Sequence, residues 1–514
     1  MRSIRVFRNA ATNYVRLGVG VLIGLFLTPF LVHQLGDAPY GLWVAVFALT
    51  GYFGLFDQGI RPSMVRYVSR FHAQGDGEAL SRSISSAFVL YAGVGVLALA
   101  ATVLIAARFG AWFRVEPAML PVARLVVAVS GLSLAIGFPL GVFGATLSGL
   151  QRYDVANAIG VGVSVIRAAG FVAVLHLGFG LPGLAWCALA TNLLGHALSW
   201  IAVRRLLPGL RISPRAVSRE HLGLLGSYSG FAFVGALASL LTFQTDALVI
   251  TAFLGAALVT PFALAAALVE TARSLVHAAT WVLSPTASEL ETRGEDDALR
   301  AMMIAGSKYS VLLSWPLLIA FLVFGENLLT TWVGERYASA AGLLAILTWP
   351  TLIALPQSAA SSVLFGVSRH RGVVGLFILN AVLNLGLSLL WVRPFGLAGV
   401  AMGTAVPLAL VGGAATILYT CRALRLPLGA YLWEGMMRPG LVTLVFAALA
   451  LLAQAAWRPV GWIPLLGTCA ACWAGFALCA WPLALSGDER RRWGRVVPAA
   501  IGLMPAAAGS GGQP

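Results

Sequence analysis

The sequence predicts an all-α integral membrane protein with about 14 transmembrane helices: two six-helix lobes in a parallel pseudo-repeat around a central cavity, followed by two extra helices. Three observations predict this class. Of the 514 residues, 59% are hydrophobic and only 10% are charged, whereas soluble domains average about 25% charged residues. Long apolar segments recur along the chain, and several short sequences of the first half recur in the second. This composition excludes a cytosolic enzyme, a nucleic-acid-binding domain and a disordered chain.

Apolar segments define the transmembrane helices. A hydrocarbon core about 30 Å thick needs about 20 apolar residues per helix. Fourteen segments reach that length, within a supported range of twelve to fourteen, namely residues 14–35, 38–60, 83–107, 119–145, 155–177, 183–203, 223–250, 256–282, 301–324, 338–360, 373–392, 397–420, 439–456 and 462–485. The first is interpreted as a retained helix and not as a signal peptide, because polar Asn13, Tyr14 and Arg16 interrupt its start and a second span follows at once.

The Lys and Arg residues predict the orientation. With the N-terminus inside, 26 of the 34 cationic residues fall in inside segments, 6 fall outside, and Arg167 and Arg273 lie within spans. Because cytoplasmic loops of membrane proteins carry the excess of Lys and Arg, both termini are predicted to be cytoplasmic. The net charge of +15 therefore needs no acidic partner to explain it.

An internal repeat predicts how the helices are arranged. Four pairs of short matches occur in order at offsets of 216 to 219 residues: Leu35-Gly36 with Leu254-Gly255, Gly75–Leu80 with Gly294–Leu299, Gly149–Arg152 with Gly366–Arg369, and Phe179–Ala185 with Phe395–Ala401. Six spans make up each copy, and since six is even the copies have the same orientation, as in transporters that work by alternating access. The predicted parts are an N-terminal lobe (1–203), a cytoplasmic inter-lobe linker (204–222), a C-terminal lobe (223–425), and two extra helices with a basic tail (426–514).

The sequence carries no recognisable signature of catalysis or metal binding. It has no HExxH, no P-loop, no Rossmann glycine pattern and no EF-hand loop, and its loops are too short for a catalytic or nucleotide-binding domain. The CxxC of Cys469 and Cys472 lies in an apolar span without a second pair, so these are expected to be small core residues. We expect a protein that is not an enzyme, with no cofactor, metal or nucleic-acid partner, whose energy source, if it has one, is an ion gradient.

Charged residues within or near the spans are the candidate functional residues, because a charge at the bilayer centre costs about 2.5–3.5 kcal/mol on insertion scales. They are Asp57, Arg167, Asp246, Glu270, Arg273 and Lys308. Arg167 lies near mid-span with no acidic neighbour on its own helix, which favours a position facing a cavity. Glu270, Arg273 and His277 share one helix face. They are either a self-neutralising set or a cavity cluster in which the cation holds an anionic substrate and the carboxylate carries a coupling ion.

The other candidates also have two interpretations each. Asp57 and Arg61 form either an interfacial ion pair or part of a gate. Asp246 either couples an ion or reaches outward to the interface. Lys308, the only lysine of the chain, either binds substrate or belongs to the inner belt of positive charge.

Several motifs resemble those of one membrane protein family. Residues 29–70 contain Leu35-Gly36, Tyr40–Trp43, and Phe56–Ile60 followed by Arg66-Tyr67, and the second half contains Thr245–Ile250 running to Leu254-Gly255. These residues resemble the polysaccharide biosynthesis membrane proteins, the lipid-linked oligosaccharide flippases of the multidrug/oligosaccharidyl-lipid/polysaccharide exporter superfamily. The resemblance covers the chain from residue 1 to about residue 425, and Phe262 departs from it where such proteins often have tyrosine.

The resemblance implies a flippase of the bacterial inner membrane. Such a protein moves an undecaprenyl-diphosphate-linked oligosaccharide or polysaccharide precursor to the outer leaflet by alternating access, and cavity cations hold the diphosphate-sugar head. By position, the candidates for that role are Arg273, Arg167 and Lys308, with Arg16, Arg61 and Arg66 at the inner mouth. The candidates for ion coupling or gating are Glu270, Asp57 and Asp246, with H⁺ or Na⁺ as the ion. The expected partners are the lipid-linked anionic glycan, membrane lipids, and a glycan polymerase or glycosyltransferases.

Three alternatives stay open at the level of sequence. A multidrug or organic-cation antiporter of the same superfamily is expected to favour acidic cavity residues, whereas the cations within these spans at least match the anions. A membrane glycan polymerase or glycosyltransferase fits poorly with short outer loops and a parallel repeat. A scaffold that transports nothing has the same sequence features as a transporter.

Overall fold

The computed structural model describes residues 2–213, 215, 217–218, 230–487 and 489–491, which form helices and turns without a β-strand. Three predicted segments fall partly beyond these residues. Positions 214, 216 and 219–222 of the predicted linker, positions 223–229 of the predicted seventh span, and the tail from 492 onward lie outside the described part of the chain.

Helices make up most of the described residues. Those of the first half are α1 (Arg2–Leu35), α2 (Asp37–Gly51), α3 (Leu55–Gln74), α4 (Gly77–Trp112), α5 (Leu120–Gly149), α6 (Tyr153–His176) and α7 (Gly180–Leu206). Those of the second half are α8 (Gly230–Phe243), α9 (Thr245–Phe253), α10 (Val259–Thr280), α11 (Leu283–Arg293), α12 (Asp296–Val333), α13 (Ala341–Ala354), α14 (Gln357–Gly366), α15 (His370–Pro407), α16 (Thr416–Leu424), α17 (Leu428–Leu432), α18 (Arg438–Trp457) and α19 (Trp462–Leu483). Short 3₁₀ or π segments join several of them.

The described helices confirm the predicted class of an all-α membrane protein. Twelve helical stretches among them are long and apolar enough to cross a membrane, and the pair α8–α9, bent by 41°, makes a thirteenth. One of the twelve runs from His370 to Leu424 and is broken at Gly396 (φ 58°, ψ −134°). Its 55 residues are about 80 Å long at about 1.5 Å per residue, which is enough for two crossings of a core about 30 Å thick. Counting that stretch twice gives the fourteen spans that the sequence predicts.

Local sequence explains where individual helices begin and end. Asp76 precedes α4, and its side chain accepts a hydrogen bond from the backbone N–H of Ala79 at 2.8 Å, as expected of an N-cap aspartate. The predicted span 338–360 is two helices, because Pro356 interrupts it between α13 and α14. Proline has no N–H to donate and clashes with the preceding turn, so a helix commonly ends there.

The backbone repeats itself at the offsets that the sequence matches predict. Four pairs of equivalent residues have a positive φ: Gly36 and Gly255 (79° and 102°), Gly75 and Gly294 (71° and 70°), Gln151 and Ser368 (58° and 54°), and Gly180 and Gly396 (55° and 58°). Residues with side chains rarely adopt this conformation, so the pair Gln151 and Ser368 is informative. The breaks between helices therefore recur as well as the residues, which confirms the internal repeat.

The chain folds into two compact units. The first contains the residues up to Thr271 together with Trp332–Leu347 and Arg371–Gly412, and the second contains Ala272–Thr331, Thr348–His370 and the chain from Gly413 onward. In the first unit, a core between α3, α4 and α5 buries residues that include Met64, Ile84, Tyr91 and Leu147. In the second, α12, α18 and α19 pack through Phe324, Phe446 and Phe476. The division into lobes at 203 and 223 stays a prediction.

Candidate functional site

A fully buried carboxylate lies beside the break between α8 and α9. Asp246 is in the first turn of α9 and only 3% exposed. Its Oδ2 accepts a hydrogen bond from the Thr404 hydroxyl at 2.7 Å. The positive end of the helix dipole favours a negative charge in this turn. The bend thus places a carboxylate in the first turn of α9, inside a hydrophobic segment.

Neutral polar side chains extend this site along α15. Asn384 donates its amide N–H to the Thr404 hydroxyl oxygen at 2.8 Å. One turn earlier, Asn380 donates to the hydroxyl of Thr242 at 3.1 Å, and Thr242 itself lies one turn before Asp246. All five side chains are at most 7% exposed. They form a buried polar ladder between the α8–α9 span and α15, which we call the Asp246 cluster (Thr242, Asp246, Asn380, Asn384 and Thr404).

Three oxygens of the Asp246 cluster have no hydrogen-bond partner within the described part of the chain: Asp246 Oδ1, Asn380 Oδ1 and Asn384 Oδ1. Leaving a buried acceptor unsatisfied costs about 1–3 kcal/mol. Carboxylate and amide oxygens are the ligands that hard cations prefer. With a single carboxylate, the cluster balances one positive charge. The described residues contain no group of three His, Cys, Asp or Glu side chains that could hold a metal ion.

Arg167 is held by neutral side chains within the membrane. It lies about 21 Å along α6 from Tyr153 at about 1.5 Å per residue. Its Nε donates to the Thr191 hydroxyl at 3.0 Å, and its guanidinium NH₂ donates to Asn192 Oδ1 at 2.5 Å. Asn192 in turn donates to Ser133 Oγ at 2.9 Å. Among the described residues no carboxylate forms an ion pair with Arg167, so none of them compensates its positive charge.

Asp57 joins α3 to α4 as well as pairing along its own helix. Tyr91 donates its hydroxyl hydrogen to Asp57 Oδ1 at 2.7 Å, and Arg61 approaches Oδ2 at 3.5 Å. Tyr91 is 1% exposed, whereas the Asp57 and Arg61 side chains are 37% and 49% exposed. The geometry contains the predicted Asp57–Arg61 pair and adds a buried tyrosine. The gating role stays a prediction.

Lys308 is paired with the C-terminal segment. Its Nζ lies 2.6 Å from Glu489 Oε2, and Tyr309 donates to the other oxygen at 3.0 Å. Ser486 and Glu489 also bond reciprocally through their side chains and backbone N–H groups, at 2.7 Å and 3.3 Å, as in a capping box. Burial raises the pKa of Glu489, but the hydrogen bonds from Lys308, the Ser486 N–H and Tyr309 outweigh it and hold the pKa at about 2. The charge of Lys308 is therefore already balanced.

The remaining predicted residues lie on three helices. Glu270 and Arg273 are one turn apart on α10, Glu270 exposed and Arg273 half-buried. The Arg16 guanidinium of α1 lies against Gly160 of α6, where a larger residue would crowd it. Arg66 is exposed on α3, 5.9 Å from the ring centroid of Tyr67. The structure brings none of these four side chains into the Asp246 cluster.

A second polar cluster joins the start of α2 to the segment that follows α12. Asp37 accepts hydrogen bonds from Arg336 and Tyr337 through its carboxylate, and its backbone oxygen accepts from the Thr260 hydroxyl at 2.7 Å. Nearby, a methyl group added to Gly41 would come within 1.8 Å of the Ala256 carbonyl oxygen, so the two backbones touch. By the predicted orientation, this cluster lies on the outer face.

The sequence prediction missed most members of both clusters. Asn380 and Asn384 are one turn apart on an otherwise apolar span, and that spacing could have marked them as a polar face. Asp37 resembled an ordinary residue of the loop after the first span. Its partners Arg336 and Tyr337 are 299 and 300 positions away, so no local pattern connects them.

Comparisons with known proteins agree on one group of membrane proteins. The sequence profile of the family described as "Polysaccharide biosynthesis protein" matches residues 34–342. The uncharacterized membrane protein EpsK of Bacillus subtilis is 23% identical over 428 residues, covering 80% of this chain and 83% of its own. The uncharacterized membrane protein MJ1068 of Methanocaldococcus jannaschii is 24% identical over 387 residues, covering 72% and 75%.

Solved structures with the same fold include a transporter and a flippase. An inward-facing multidrug resistance MATE family transporter of the MOP superfamily aligns with a TM-score of 0.66 at 16% identity, covering 81% of this chain and 94% of that one. The lipid II flippase MurJ in an inward closed conformation aligns with a TM-score of 0.63 at 12% identity, covering 93% and 98%. At such low identities, the likeness establishes the fold alone.

Proposed function

The chain belongs to the polysaccharide biosynthesis protein family, and on this premise we propose that it is a membrane flippase for a lipid-linked glycan. Its substrate is an undecaprenyl-diphosphate-linked oligosaccharide or polysaccharide precursor, which it moves from the inner to the outer leaflet of the cell membrane by alternating access. The family description names polysaccharide biosynthesis, and the fold is shared with a lipid II flippase. The internal repeat supports the alternating-access part of the proposal.

The observation that carries the anionic substrate is the charge of Arg167, which no carboxylate among the described residues compensates. The Arg167 guanidinium donates hydrogen bonds to Thr191 and Asn192, which orient it. Because both side chains are neutral, they do not cancel its positive charge. A guanidinium within the membrane needs an anion, and a diphosphate accepts two parallel hydrogen bonds from it. Lys308 is the weaker candidate, since Glu489 neutralises it in this conformation.

In this proposal, the Asp246 cluster is the binding site of the coupling ion. A proton would satisfy only one of its three unpartnered oxygens, whereas a metal cation takes several oxygen ligands. We therefore favour Na⁺ over H⁺. A Na⁺ ion that moves with its gradient provides the work, since one charge crossing 100 mV releases about 2.3 kcal/mol.

Reconstituted transport tests the substrate. Purified protein in liposomes would be given a fluorescent undecaprenyl-diphosphate-linked oligosaccharide, and the fraction reaching the opposite leaflet measured over time. We expect Arg167→Ala to reduce the initial rate at least roughly tenfold, since a hydrogen bond to a charged group contributes about 1.5–3 kcal/mol, and Arg167→Lys to retain part of it.

A matched variant distinguishes the specific effect of losing Arg167 from the general effect of removing one arginine from the protein. Arg124 is exposed on α5, and Arg124→Ala should flip the lipid at the wild-type rate. Equal rates for the Arg167→Ala and wild-type proteins would contradict the assignment of Arg167. Efflux of ethidium without flipping would instead support a multidrug exporter.

A further inference from the structure

The first unit contains a cavity that the proposed transport does not use. It has a volume of about 500 Å³ and lies between α4, α5 and α7. Its walls are mainly apolar and include Phe88, Phe143 and Leu193. A volume of 300–1,000 Å³ is typical of sites for small molecules.

The cavity extends about half-way through a bilayer. Along α7 its lining runs from Arg204 to Leu193, a distance of about 16 Å at about 1.5 Å per residue. The hydrocarbon core of a bilayer is about 30 Å thick, so this depth matches a single leaflet. Arg204 lies near the end of α7 at Leu206, on the face predicted to be cytoplasmic.

The segment that follows α7 closes one side of the cavity. Leu210 and Ile212 contribute to its lining. Hydroxyl groups on α4 hold this segment through its backbone: Ser85 accepts from the N–H of Ser213 at 3.2 Å, and Ser86 accepts from the N–H of Ser218 at 3.2 Å. Both serines are fully buried. This wall is therefore built by specific contacts.

The mouth of the cavity carries a cation, Arg204. The Arg204 guanidinium lies 5.6 Å from the ring centroid of Trp200. It has no hydrogen bond or ion pair with any other described residue. Tryptophan is common at the membrane–water interface, where lipid headgroups lie. The only other polar side chain of the lining, His196, is two turns deeper.

We propose that this cavity binds an anionic phospholipid of the same leaflet, with one acyl chain between α4, α5 and α7 and the phosphate on Arg204. The apolar walls and single-leaflet depth fit an acyl chain. The Arg204 guanidinium at headgroup level, which no described carboxylate neutralises, selects a net negative charge, because basic pockets between transmembrane helices on the cytoplasmic side bind anionic headgroups. The headgroup end of the site, at Arg204, lies about three turns along α7 from Asn192, and the proposal does not depend on the proposed transport.

Lipid retention tests the proposal. The protein would be placed in nanodiscs of phosphatidylglycerol and phosphatidylethanolamine in a 1:3 ratio, released into detergent, and its retained lipids counted by native mass spectrometry. We expect the wild-type protein to retain phosphatidylglycerol preferentially. Arg204→Gln should lower that retention roughly fivefold, the effect of one cation near an anionic membrane surface, and Arg204→Lys should preserve it. Arg205→Gln, at the neighbouring position, should behave as wild type.

A second variant addresses the apolar part of the cavity. Ala197 lines it, so Ala197→Phe should fill it and reduce retention, whereas Ala190→Phe, two turns earlier and exposed on α7, should not. Wild-type retention in both Arg204→Gln and Ala197→Phe would overturn the proposal. Displacement of the retained phosphatidylglycerol by an equal amount of undecaprenyl phosphate would also overturn it, because the occupant would then be the polyprenyl lipid.

Discussion

Thr404 donates its hydroxyl hydrogen to Asp246 at 2.7 Å and accepts a hydrogen bond from Asn384 at 2.8 Å. One hydroxyl thus connects a buried carboxylate with a buried amide. The remaining oxygens of both partners, Asp246 Oδ1 and Asn384 Oδ1, have no donor. The arrangement leaves one carboxylate oxygen and one amide oxygen unsatisfied, and oxygens of both kinds are cation ligands.

Na⁺ should stabilise the wild-type protein through Asp246. A ligand that binds only the folded state adds about 2.7 kcal/mol when its concentration is a hundred times its Kd. The melting temperature in detergent should therefore rise with NaCl more than with choline chloride. Asp246→Asn should abolish the difference, while Asp297→Asn, at a side chain that is 97% exposed, should keep it. A sodium-dependent shift that persists in Asp246→Asn would refute the cation site.

Thr404→Val should weaken the same site without changing its volume. The substitution removes the hydroxyl between Asp246 and Asn384, and an unpaired buried polar group costs about 1–3 kcal/mol. Thermal unfolding should show lower stability and a smaller response to Na⁺, and Thr404→Ser should restore both. Thr102→Val is the matched control, because the Thr102 hydroxyl bonds only to the Ala98 carbonyl of its own helix. An unchanged Na⁺ response in Thr404→Val would argue against a role for this hydroxyl.

Gly41→Ala should disrupt the contact between the starts of the second and eighth spans. The added methyl group would come within 1.8 Å of the Ala256 carbonyl oxygen, so a backbone must move. We expect a clear drop in melting temperature. Gly93→Ala in α4 meets nothing within 4 Å and should be neutral or stabilising, since alanine favours a helix over glycine by about 0.5–1 kcal/mol. Equal stability of the two variants would contradict the close approach.

Loss of Asp37 should loosen the outer cluster. Asp37→Asn removes the negative charge of the carboxylate that accepts hydrogen bonds from both Arg336 and Tyr337. Spin labels at positions 116 and 335, in a background without native cysteines, should report a broader and longer distance distribution by electron paramagnetic resonance. Arg82→Ala, which breaks only the exposed pair with Glu78, should leave the distribution unchanged. Identical distributions in Asp37→Asn and wild type would show that this cluster does not hold the face closed.

The Lys308–Glu489 pair should stabilise the protein in a pH-dependent way. The pKa of Glu489 is lowered from 4.5 to about 2, so the folded protein holds the carboxylate ionised where the unfolded chain has begun to bind a proton. This contribution is present above about pH 4.5 and is lost as the pH falls towards about 2.

Comparison with Glu489→Gln measures that contribution. The difference in melting temperature between the wild-type and Glu489→Gln proteins should be constant between pH 7 and pH 5, and should narrow below about pH 4.5. Glu78→Gln, at a largely exposed pair, should differ little from wild type throughout. A Glu489→Gln difference that stays constant down to pH 3 would argue against the ion pair.

Features that recur along the chain or that carry a charge could be predicted from the sequence. Hydropathy marked the spans, and short matches such as Gly75 with Gly294 located breaks that the backbone repeats. Charge within an apolar segment identified Arg167 and Asp246 as candidates. The neutral members of the Asp246 cluster were missed, because Asn380, Asn384 and Thr404 are ordinary residues of membrane helices until a carboxylate is placed beside them.

Partners that are distant in the chain could not be predicted from local patterns. Lys308 was expected to face substrate or the inner positive belt, and it instead meets Glu489, 181 positions later. Asp37 and Tyr337 are 300 positions apart. Such contacts depend on how the helices pack, which periodicity and composition do not specify.

Sodium-driven flipping tests the central claim most directly. Liposomes containing the purified protein and a fluorescent undecaprenyl-diphosphate-linked oligosaccharide would be prepared with a Na⁺ gradient in either direction or with none. The account predicts that one direction of the gradient accumulates the lipid in the opposite leaflet, and that Asp246→Asn and Arg167→Ala both lose this accumulation. Accumulation that is independent of Na⁺ and unchanged in both variants would contradict it.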